Sequence, residues 1–228
     1  MTKSTLRIEV LFDNERLSND LEIGWGFSAL ITRGERKVLF DTAWDGAQVL
    51  QNADRLGVSL EDVTDIFISH AHWDHAGGLP QLLRELRPAR TWVPASVSKH
   101  QRHELSRHTE VHTVQEPTPL GNDLFSTGAL ESATQPDEHA LVALTEEGPV
   151  VVVGCSHPGV GRILERVRDE YGAPHTLIGG LHDFSDFKLL APLKKVLPCH
   201  CTTKKAEILA AYPHSAEACA AGTHLTFG

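Results

Sequence analysis

The sequence predicts an α/β protein in which two β-sheets face each other and helices lie outside. Two apolar hairpin patterns carry this prediction, one near residue 35 and one near residue 147, and each is followed by segments of alternating strand and helix periodicity. Because each sheet must bury one face, the two halves are expected to pack sheet against sheet. No internal repeat or Gly/Ser-rich linker interrupts the pattern, so we expect one domain over residues 1–228.

The first half of the chain contains the clearest periodic segments. Strands are predicted at 5–12, 27–32, 37–41, 63–69 and 90–93, and helices at 47–57, 80–86 and 96–105. Residues 33–36 form the turn of the first hairpin, and Gly57 is a typical helix stop.

The second half begins after a less regular stretch. Residues 115–136 contain three prolines and two glycines and are expected to be loop or weak strand. The following segments are predicted in the order strand 139–145, turn 146–149, strand 150–154, helix 160–171 and strand 176–180. The remainder repeats helix and strand twice.

Composition and charge exclude several classes of protein. The 228 residues are 41% hydrophobic and 22% charged, which is typical of a globular chain and not of a disordered one. A net charge of −9 would repel a phosphate backbone, so no nucleic-acid partner is expected. No apolar run approaches the roughly 20 residues that span a bilayer, and the first residues lack a signal-peptide pattern. We therefore expect a cytoplasmic protein with no membrane partner.

Histidine is unusually frequent, with 14 residues, and the densest group is His70-Ala71-His72-Trp73-Asp74-His75 after a predicted apolar strand. On an extended strand end His70 and His72 point the same way, and Asp74 and His75 reach the same cavity after the chain turns. Imidazole and carboxylate ligands suit zinc, iron or manganese, and two pairs of ligands predict two neighbouring ions.

The four cysteines all lie in the last third of the chain, at Cys155, Cys199, Cys201 and Cys219. In a reducing compartment they are expected to be thiols or metal ligands before disulfides.

The pattern HxHxDH after an apolar strand resembles the metallo-β-lactamase superfamily. Further segments are similar to its subfamily named for a dihydropterin ribofuranosyl-aminobenzene phosphate synthase: residues 10–14 (VLFDN), 39–42 (LFDT), 154–157 (GCSH), 178–182 (IGGLH) and 198–202 (PCHCT). The resemblance runs over nearly the whole chain.

The resemblance implies a four-layer αβ/βα sandwich of two mixed β-sheets with outer helices, and metals at one edge where strand ends meet. It also implies two divalent ions, zinc first and iron or manganese as options, which activate a hydroxide for hydrolysis. Asp41 looks like the family's aspartate that supports a metal-binding histidine from behind.

Several ligand assignments stay open. His157 matches the GCSH element and is expected to bind metal, while Cys155 is either a thiolate ligand or a small buried apolar residue. By chain order His182 resembles the family's final metal histidine, but His200 ends the next strand and is a second candidate. His139 falls near the segment in which the family usually carries its third ligand, but it is expected to start a hairpin and point to solvent.

A basic segment near residue 100 offers a further option. His100, His103 and His108 lie beside Lys99, Arg102 and Arg107, and form either a positive lip for an anionic substrate or a solvated helix face.

The function predicted from these residues is metal-dependent hydrolysis of a small substrate, with an anionic or phosphorylated substrate as an option. Asp74 is the expected catalytic residue, because it can bind an ion and also hold a proton during turnover. The alternatives are a dihydropterin phosphate synthase-like enzyme, a di-iron redox protein and a non-catalytic metal or ligand sensor. The expected partner is a small molecule, and a homodimer is an open option.

Overall fold

The protein is built on two mixed β-sheets, which the computed structural model describes over residues 4–228. The first sheet has the strand order β13-β1-β2-β3-β4-β5-β6. Its strands are β1 (Leu6–Phe12), β2 (Ser28–Arg33), β3 (Arg36–Phe40), β4 (Asp65–Phe67), β5 (Arg90–Pro94), β6 (Glu110–Val114) and β13 (His224–Phe227). Strands β3 to β6 run parallel, and the other neighbours pair antiparallel.

The second sheet has the strand order β12-β11-β10-β9-β8-β7. Its strands are β7 (Thr118–Gly121), β8 (Leu124–Ser126), β9 (Leu141–Leu144), β10 (Pro149–Val153), β11 (Thr176–Gly180) and β12 (Lys195–Cys199). Strands β10, β11 and β12 are parallel, and β7 to β10 form an antiparallel meander.

Helices cover the outer faces of both sheets. They are α1 (Gly46–Arg55), α2 (Trp73–Ala76), α3 (Leu79–Leu86), α4 (Lys99–Leu105), α5 (Val160–Tyr171), α6 (Lys205–Ala211) and a short 3₁₀ helix (Phe187–Leu190). Within residues 4–228 no helix has both the length and the apolar character that a membrane crossing requires.

Three apolar clusters fill the spaces between the layers of helices and sheets. The cluster between the sheets contains Phe40 and Phe67, whose rings stack with centroids 5.4 Å apart. A second cluster packs Val49 and Leu82 from α1 and α3 against the first sheet. The third packs α5 and α6 against the second sheet, with Ile163 as a central residue. The result is the predicted four-layer α/β sandwich with two mixed sheets.

The structure confirms both predicted hairpins, since β2 pairs antiparallel with β3 and β9 with β10. It also refines the weaker segments. Residues 115–136 contain the paired strands β7 and β8, and the edge strand β6 was missed because its partly exposed residues lack a clear alternation. The strand predicted at 63–69 is shorter, because the chain leaves the sheet after Phe67 to form the histidine loop.

One cysteine prediction is wrong. Cys199 and Cys219 form a disulfide, because the fold brings the end of β12 and the segment before β13 to a Cα separation of 5.2 Å. Cys155 and Cys201 remain free and are buried.

Candidate metal centre

The candidate site residues follow the carboxyl ends of parallel strands in both sheets. Their positions are Asp41 after β3, the histidine loop after β4, Cys155 and His157 after β10, His182 after β11, and His200 and Cys201 after β12. Because parallel strands end at the same sheet edge, these loops converge where the two sheets meet.

Three histidines form the first group of candidate ligands. His72 Nδ1 lies 3.1 Å from His70 Nε2 and 3.2 Å from His157 Nε2. One nitrogen of each ring lies within 4.8 Å of the other two, as a single metal ion would require.

Asp74, His75 and His200 form the second group, whose donor atoms also lie within 4.8 Å of one another. Asp74 Oδ2 lies 3.2 Å from His200 Nε2 and 3.7 Å from His75 Nε2. The two groups adjoin, since the rings of His70 and His75 have centroids 4.2 Å apart. The structure thus brings both sheets' histidines to one corner.

Two free sulfur atoms border the second group. Cys155 Sγ lies 3.1 Å from His75 Nε2 and 3.2 Å from Cys201 Sγ. The contact with Cys201 and, to a smaller extent, burial raise the pKa of the Cys155 thiol. Cys155 is thus both buried and adjacent to the candidate ligands, which is compatible with either role that the sequence left open.

Asp41 orients histidines of both groups from behind. Its Oδ2 accepts a hydrogen bond of 2.6 Å from His75 Nδ1 and one of 2.7 Å from the Ser69 hydroxyl. The same hydroxyl lies 2.9 Å from His70 Nδ1, so it can accept the proton of that ring. With Nδ1 of His70 and His75 occupied in this way, their Nε2 atoms are free for a metal. The sequence motif indicates this supporting role for Asp41 but gives no signal for Ser69.

His200 is held by residues from the end of β1. Its Nδ1 lies 2.9 Å from Asn14 Oδ1, and its backbone N–H donates to Asp13 Oδ2 at 2.9 Å. Burial raises the pKa of Asp13 to about 6, although its backbone hydrogen bonds oppose the shift. These contacts give a role to the VLFDN segment, whose function had not been assigned from the sequence.

Glu138 holds the loop that carries Cys155 and His157. Its Oε1 accepts the backbone N–H groups of Gly154, Cys155 and Ser156 at 2.9 to 3.1 Å, and its Oε2 accepts that of His157 at 2.9 Å. The side chain is fully buried. Nothing in the local sequence separates Glu138 from an exposed hairpin residue, so it was missed.

His182 lies at the rim of the site, where its side chain is 47% exposed and its Nδ1 contacts Asp183. Its ring centroid is 5.2 Å from that of His157, but of the two distal candidates, His182 and His200, only His200 belongs to a group of three ligand atoms within the described residues. The prediction that His139 points to solvent is wrong. Its Nε2 donates to the carbonyl of Ile68 at 2.8 Å, Ser126 Oγ lies 2.8 Å from its Nδ1, and the ring is fully buried.

The backbone is strained at the same edge. Left-handed φ angles of 46° to 61° occur at residues that are not glycine, namely Asp41, Ala43, Ser156, His182 and His200. Such conformations cost free energy and persist where surrounding contacts impose them, which is common at functional sites.

The protonation states of His70, His157 and Asp74 suit metal ligands, whereas the pKa of His75 is raised, because the carboxylates of Asp41 and Asp74 outweigh the opposing effect of burial. Burial, helped by the neighbouring imidazoles, lowers the pKa of His70 well below its usual value, and burial lowers that of His157 to about 4. Burial opposes ionisation of Asp74, but the hydrogen bond from His200 and the nearby imidazoles outweigh it and bring its pKa to about 2. Neutral imidazoles and an ionised carboxylate are the forms that bind divalent cations.

A cavity of about 390 Å³ opens onto these groups. Its lining consists of Trp25, His72, Trp73, Asp74, Gln135, Cys155, His157, His182 and Cys201. Trp25 and Trp73 are 53% and 60% exposed, although large aromatic side chains are usually covered in a folded protein. None of the residues of the basic segment lines this cavity, and His100 lines a different one behind the histidine loop.

Comparisons with known proteins agree with the family resemblance of the sequence motifs. The family model described as "Metallo-beta-lactamase superfamily" matches residues 25–200. A relative from Methanocaldococcus jannaschii, 7,8-dihydropterin-6-methyl-4-(beta-D-ribofuranosyl)-aminobenzene-5'-phosphate synthase, is 22% identical in an alignment that covers 76% of this chain and 78% of the relative.

Two solved structures are similar over nearly the whole chain. The crystal structure of Tm1679, a metal-dependent hydrolase of the beta-lactamase superfamily, has a TM-score of 0.77 and 29% identity, with coverage of 96% of this chain and 98% of that chain. A diphosphatase from the PhnP family has a TM-score of 0.65 and 16% identity, with coverage of 98% of both chains, and indicates similarity of fold.

Proposed function

Because the chain belongs to the metallo-β-lactamase superfamily, we propose that it is a metal-dependent hydrolase with a dinuclear site and a small-molecule substrate. The observation that carries the proposal is the meeting of two groups of three metal-ligand side chains at one corner, each with donor atoms within 4.8 Å. His70, His72 and His157 would hold one ion, and Asp74, His75 and His200 the other. Zinc is the proposed metal, because imidazole and carboxylate are among its usual ligands.

The ions, when bound, would lower the pKa of water towards neutrality and polarise the electrophilic group of the substrate. The chain's own residues orient the ligand rings and exchange protons. Asp41 fixes the ring plane of His75, and Asn14 fixes that of His200. Asp74 lies at the cavity wall as an anion, so its carboxylate can accept and return a proton during turnover.

The cavity supports a substrate with an apolar or aromatic part beside the bond that is cleaved. Trp25 and Trp73 present exposed indole rings at its wall, and the Trp25 ring lies 5.2 Å from that of His200. A flat apolar group can stack on such rings, while an anionic group such as a phosphate would be drawn to the cations. An anionic ester with an aromatic group therefore fits best.

A dihydropterin phosphate synthase-like activity is the second candidate. The alignment with the Methanocaldococcus jannaschii synthase supports it, as does the pair of indole rings, since the name of that enzyme denotes aromatic rings and a phosphate. The two candidates differ in their substrate and share the metal-binding residues.

A hydrolase screen with matched variants tests the proposal. Chelator-treated protein is reconstituted with Zn²⁺, Mn²⁺ or Fe²⁺ and assayed on phosphoesters, lactones and thioesters that carry aromatic groups. Asp74→Asn should lower kcat/KM by about 10²- to 10⁴-fold through loss of proton exchange and of one metal ligand. Asp54→Asn, on the exposed face of α1, should leave it unchanged. Hydrolysis that survives full metal removal, or an undiminished rate in Asp74→Asn, would refute the proposal.

A further inference from the structure

The two free thiols lie next to the candidate ligands, and the proposed function assigns neither of them to an ion. Cys155 follows β10 and Cys201 follows β12, so the strands of the second sheet bring together two residues that are distant in sequence. Their Sγ atoms are 3.2 Å apart, and their exposed fractions are 3% and 8%. Both residues border the cavity, so a cation in the cavity would reach them.

We propose that Cys155 and Cys201 bind the second metal ion as a pair of thiolates together with His200, and thereby select a thiophilic ion. The proposal deepens the proposed function and depends on it. One donor atom from each of Cys155, His200 and Cys201 lies within 4.8 Å of the other two. Nitrogen and sulfur atoms converging in this way form the ligand sets of zinc sites.

The packing around Cys201 fixes the position of its side chain beside Cys155. A Cβ atom at Gly180 would lie 2.6 Å from Cys201 Sγ and 2.4 Å from the carbonyl oxygen of Gly154. The glycine at position 180 therefore leaves the space that the Cys201 side chain occupies when it faces Cys155. Any larger residue would push the sulfur atom away from the metal-binding corner.

His200 joins the thiol pair to the rest of the centre, because it belongs both to this group and to the group with Asp74 and His75. The first group, in contrast, consists of three imidazoles. The two ions would then have different ligands, nitrogen alone in one case and nitrogen, the Asp74 oxygen and sulfur in the other. Thiolate is a soft ligand that favours Zn²⁺ or Cd²⁺ over Mn²⁺ or Mg²⁺. Each thiol releases its proton to solvent as the ion binds.

Cobalt spectroscopy tests the proposal without use of an activity assay. The reduced, chelator-treated chain is titrated with Co²⁺, and the near-ultraviolet band that arises from charge transfer between thiolate and cobalt is recorded. The band should appear in the parent, fall to about half in Cys155→Ser and in Cys201→Ser, and vanish in the double variant. Visible Co²⁺ absorption from the three-histidine group should persist in all of them.

A matched control removes sulfur atoms that the proposal does not use. The double variant Cys199→Ala and Cys219→Ala lacks the disulfide at the end of β12 and should keep the full band. Circular dichroism checks that each variant is folded, and Cys201→Ala serves as a second variant if Cys201→Ser does not fold.

The outcomes separate this proposal from the proposed function. Co²⁺ binding by the parent without the thiolate band, or a full band in Cys201→Ser, would overturn the thiolate assignment and leave the dinuclear hydrolase standing. A Cys155–Cys201 disulfide that persists after reduction and Co²⁺ addition would overturn it as well. Failure of the parent to bind Co²⁺ at all would instead count against the proposed function. In competition, the preference for Cd²⁺ over Mn²⁺ should fall by about tenfold or more in the double serine variant.

Discussion

Two buried carboxylates impose the geometry of the candidate centre at the scale of single residues. Asp41 fixes the ring of His75 and, through the Ser69 hydroxyl, that of His70. Glu138 instead holds backbone, since its two oxygens accept four consecutive N–H groups of the loop that ends at His157. Neither carboxylate is among the candidate ligands, yet both determine where ligands lie.

Replacement of Glu138 by glutamine should weaken metal binding at the three-histidine group. The amide keeps the shape of the side chain but has one acceptor oxygen, so part of the loop loses its hydrogen bonds. We expect about 10- to 100-fold weaker binding of one ion, measured by competition with a chromophoric chelator. Glu131→Gln, at an exposed position nearby, is the control. Unchanged affinity for both ions in Glu138→Gln would mean that Glu138 does not position His157.

His139 should make stability depend on pH. Burial lowers its pKa to about 3 in the folded state, whereas the unfolded chain takes up the proton near pH 6.5. The contribution is therefore present above pH 6.5 and is lost as the pH falls towards 3. Between pH 7 and pH 5 the parent should lose about 2 kcal/mol more of its free energy of unfolding than His139→Gln does, as measured by urea denaturation. Parallel pH profiles for the two proteins would contradict this prediction.

At the scale of elements, the strand ends are packed so closely that small residues are needed between them. Gly154 ends the stretch after β10, and a Cβ there would lie 2.2 Å from Ser69 Oγ and 3.0 Å from His70 Nδ1. The loop after β10 and the loop after β4 belong to different sheets. Their contact at Gly154 is therefore one of the points where the two sheets are aligned.

Alanine at position 154 should disturb both stability and metal binding, because it displaces Ser69 or His70. We expect a decrease of about 1 to 3 kcal/mol in the free energy of unfolding, together with partial loss of one ion, measured by urea denaturation and elemental analysis. Gly161→Ala, within α5, is the matched control and should be neutral or stabilising, since it meets only the half-exposed Leu189 side chain. Equal behaviour of the two variants would show that close packing at Gly154 is unimportant.

Local patterns predicted most elements, because a hairpin or an amphipathic helix is encoded within about 10 to 15 consecutive residues. Local patterns failed where a residue is surrounded by segments that are distant in sequence. Asn14 and His200 meet across 186 positions, and no local signal in either segment indicates the other. His139 looked like an exposed hairpin residue because its burial depends on Ile68 from the opposite sheet.

The candidate site likewise divides into residues that a local pattern predicts and residues that only the fold brings together. The clustered ligands of the histidine loop were recognisable because four metal-binding side chains occur within six residues. Chain order favoured His182 over His200, but the left-handed turn at His200 and its contacts with Asp13 and Asn14 bring that ring to Asp74 instead. The contact between Cys155 and Cys201 depends on strand order in the second sheet, which spacing alone does not encode.

At the scale of the whole molecule, each sheet supplies part of both ligand groups. The first sheet contributes His70, His72, Asp74 and His75, and the second contributes His157 and His200. Neither half contains a complete group, so bound ions would link the two sheets across their shared edge. Ions that bind only the folded state would also stabilise it by mass action.

The metal content of the purified chain tests the central claim most directly. Elemental mass spectrometry is applied to the parent, to His72→Ala, and to His182→Ala as the control whose rim position lies outside both groups. We predict about two zinc, iron or manganese ions per chain in the parent and in His182→Ala, because the two groups of three ligands can each hold one ion. His72→Ala should hold fewer ions and keep its secondary structure. Fewer than about 0.2 ions per chain in the parent after reconstitution, or unchanged metal in His72→Ala, would contradict the assignment, since a site that lacks a ligand binds metal less tightly.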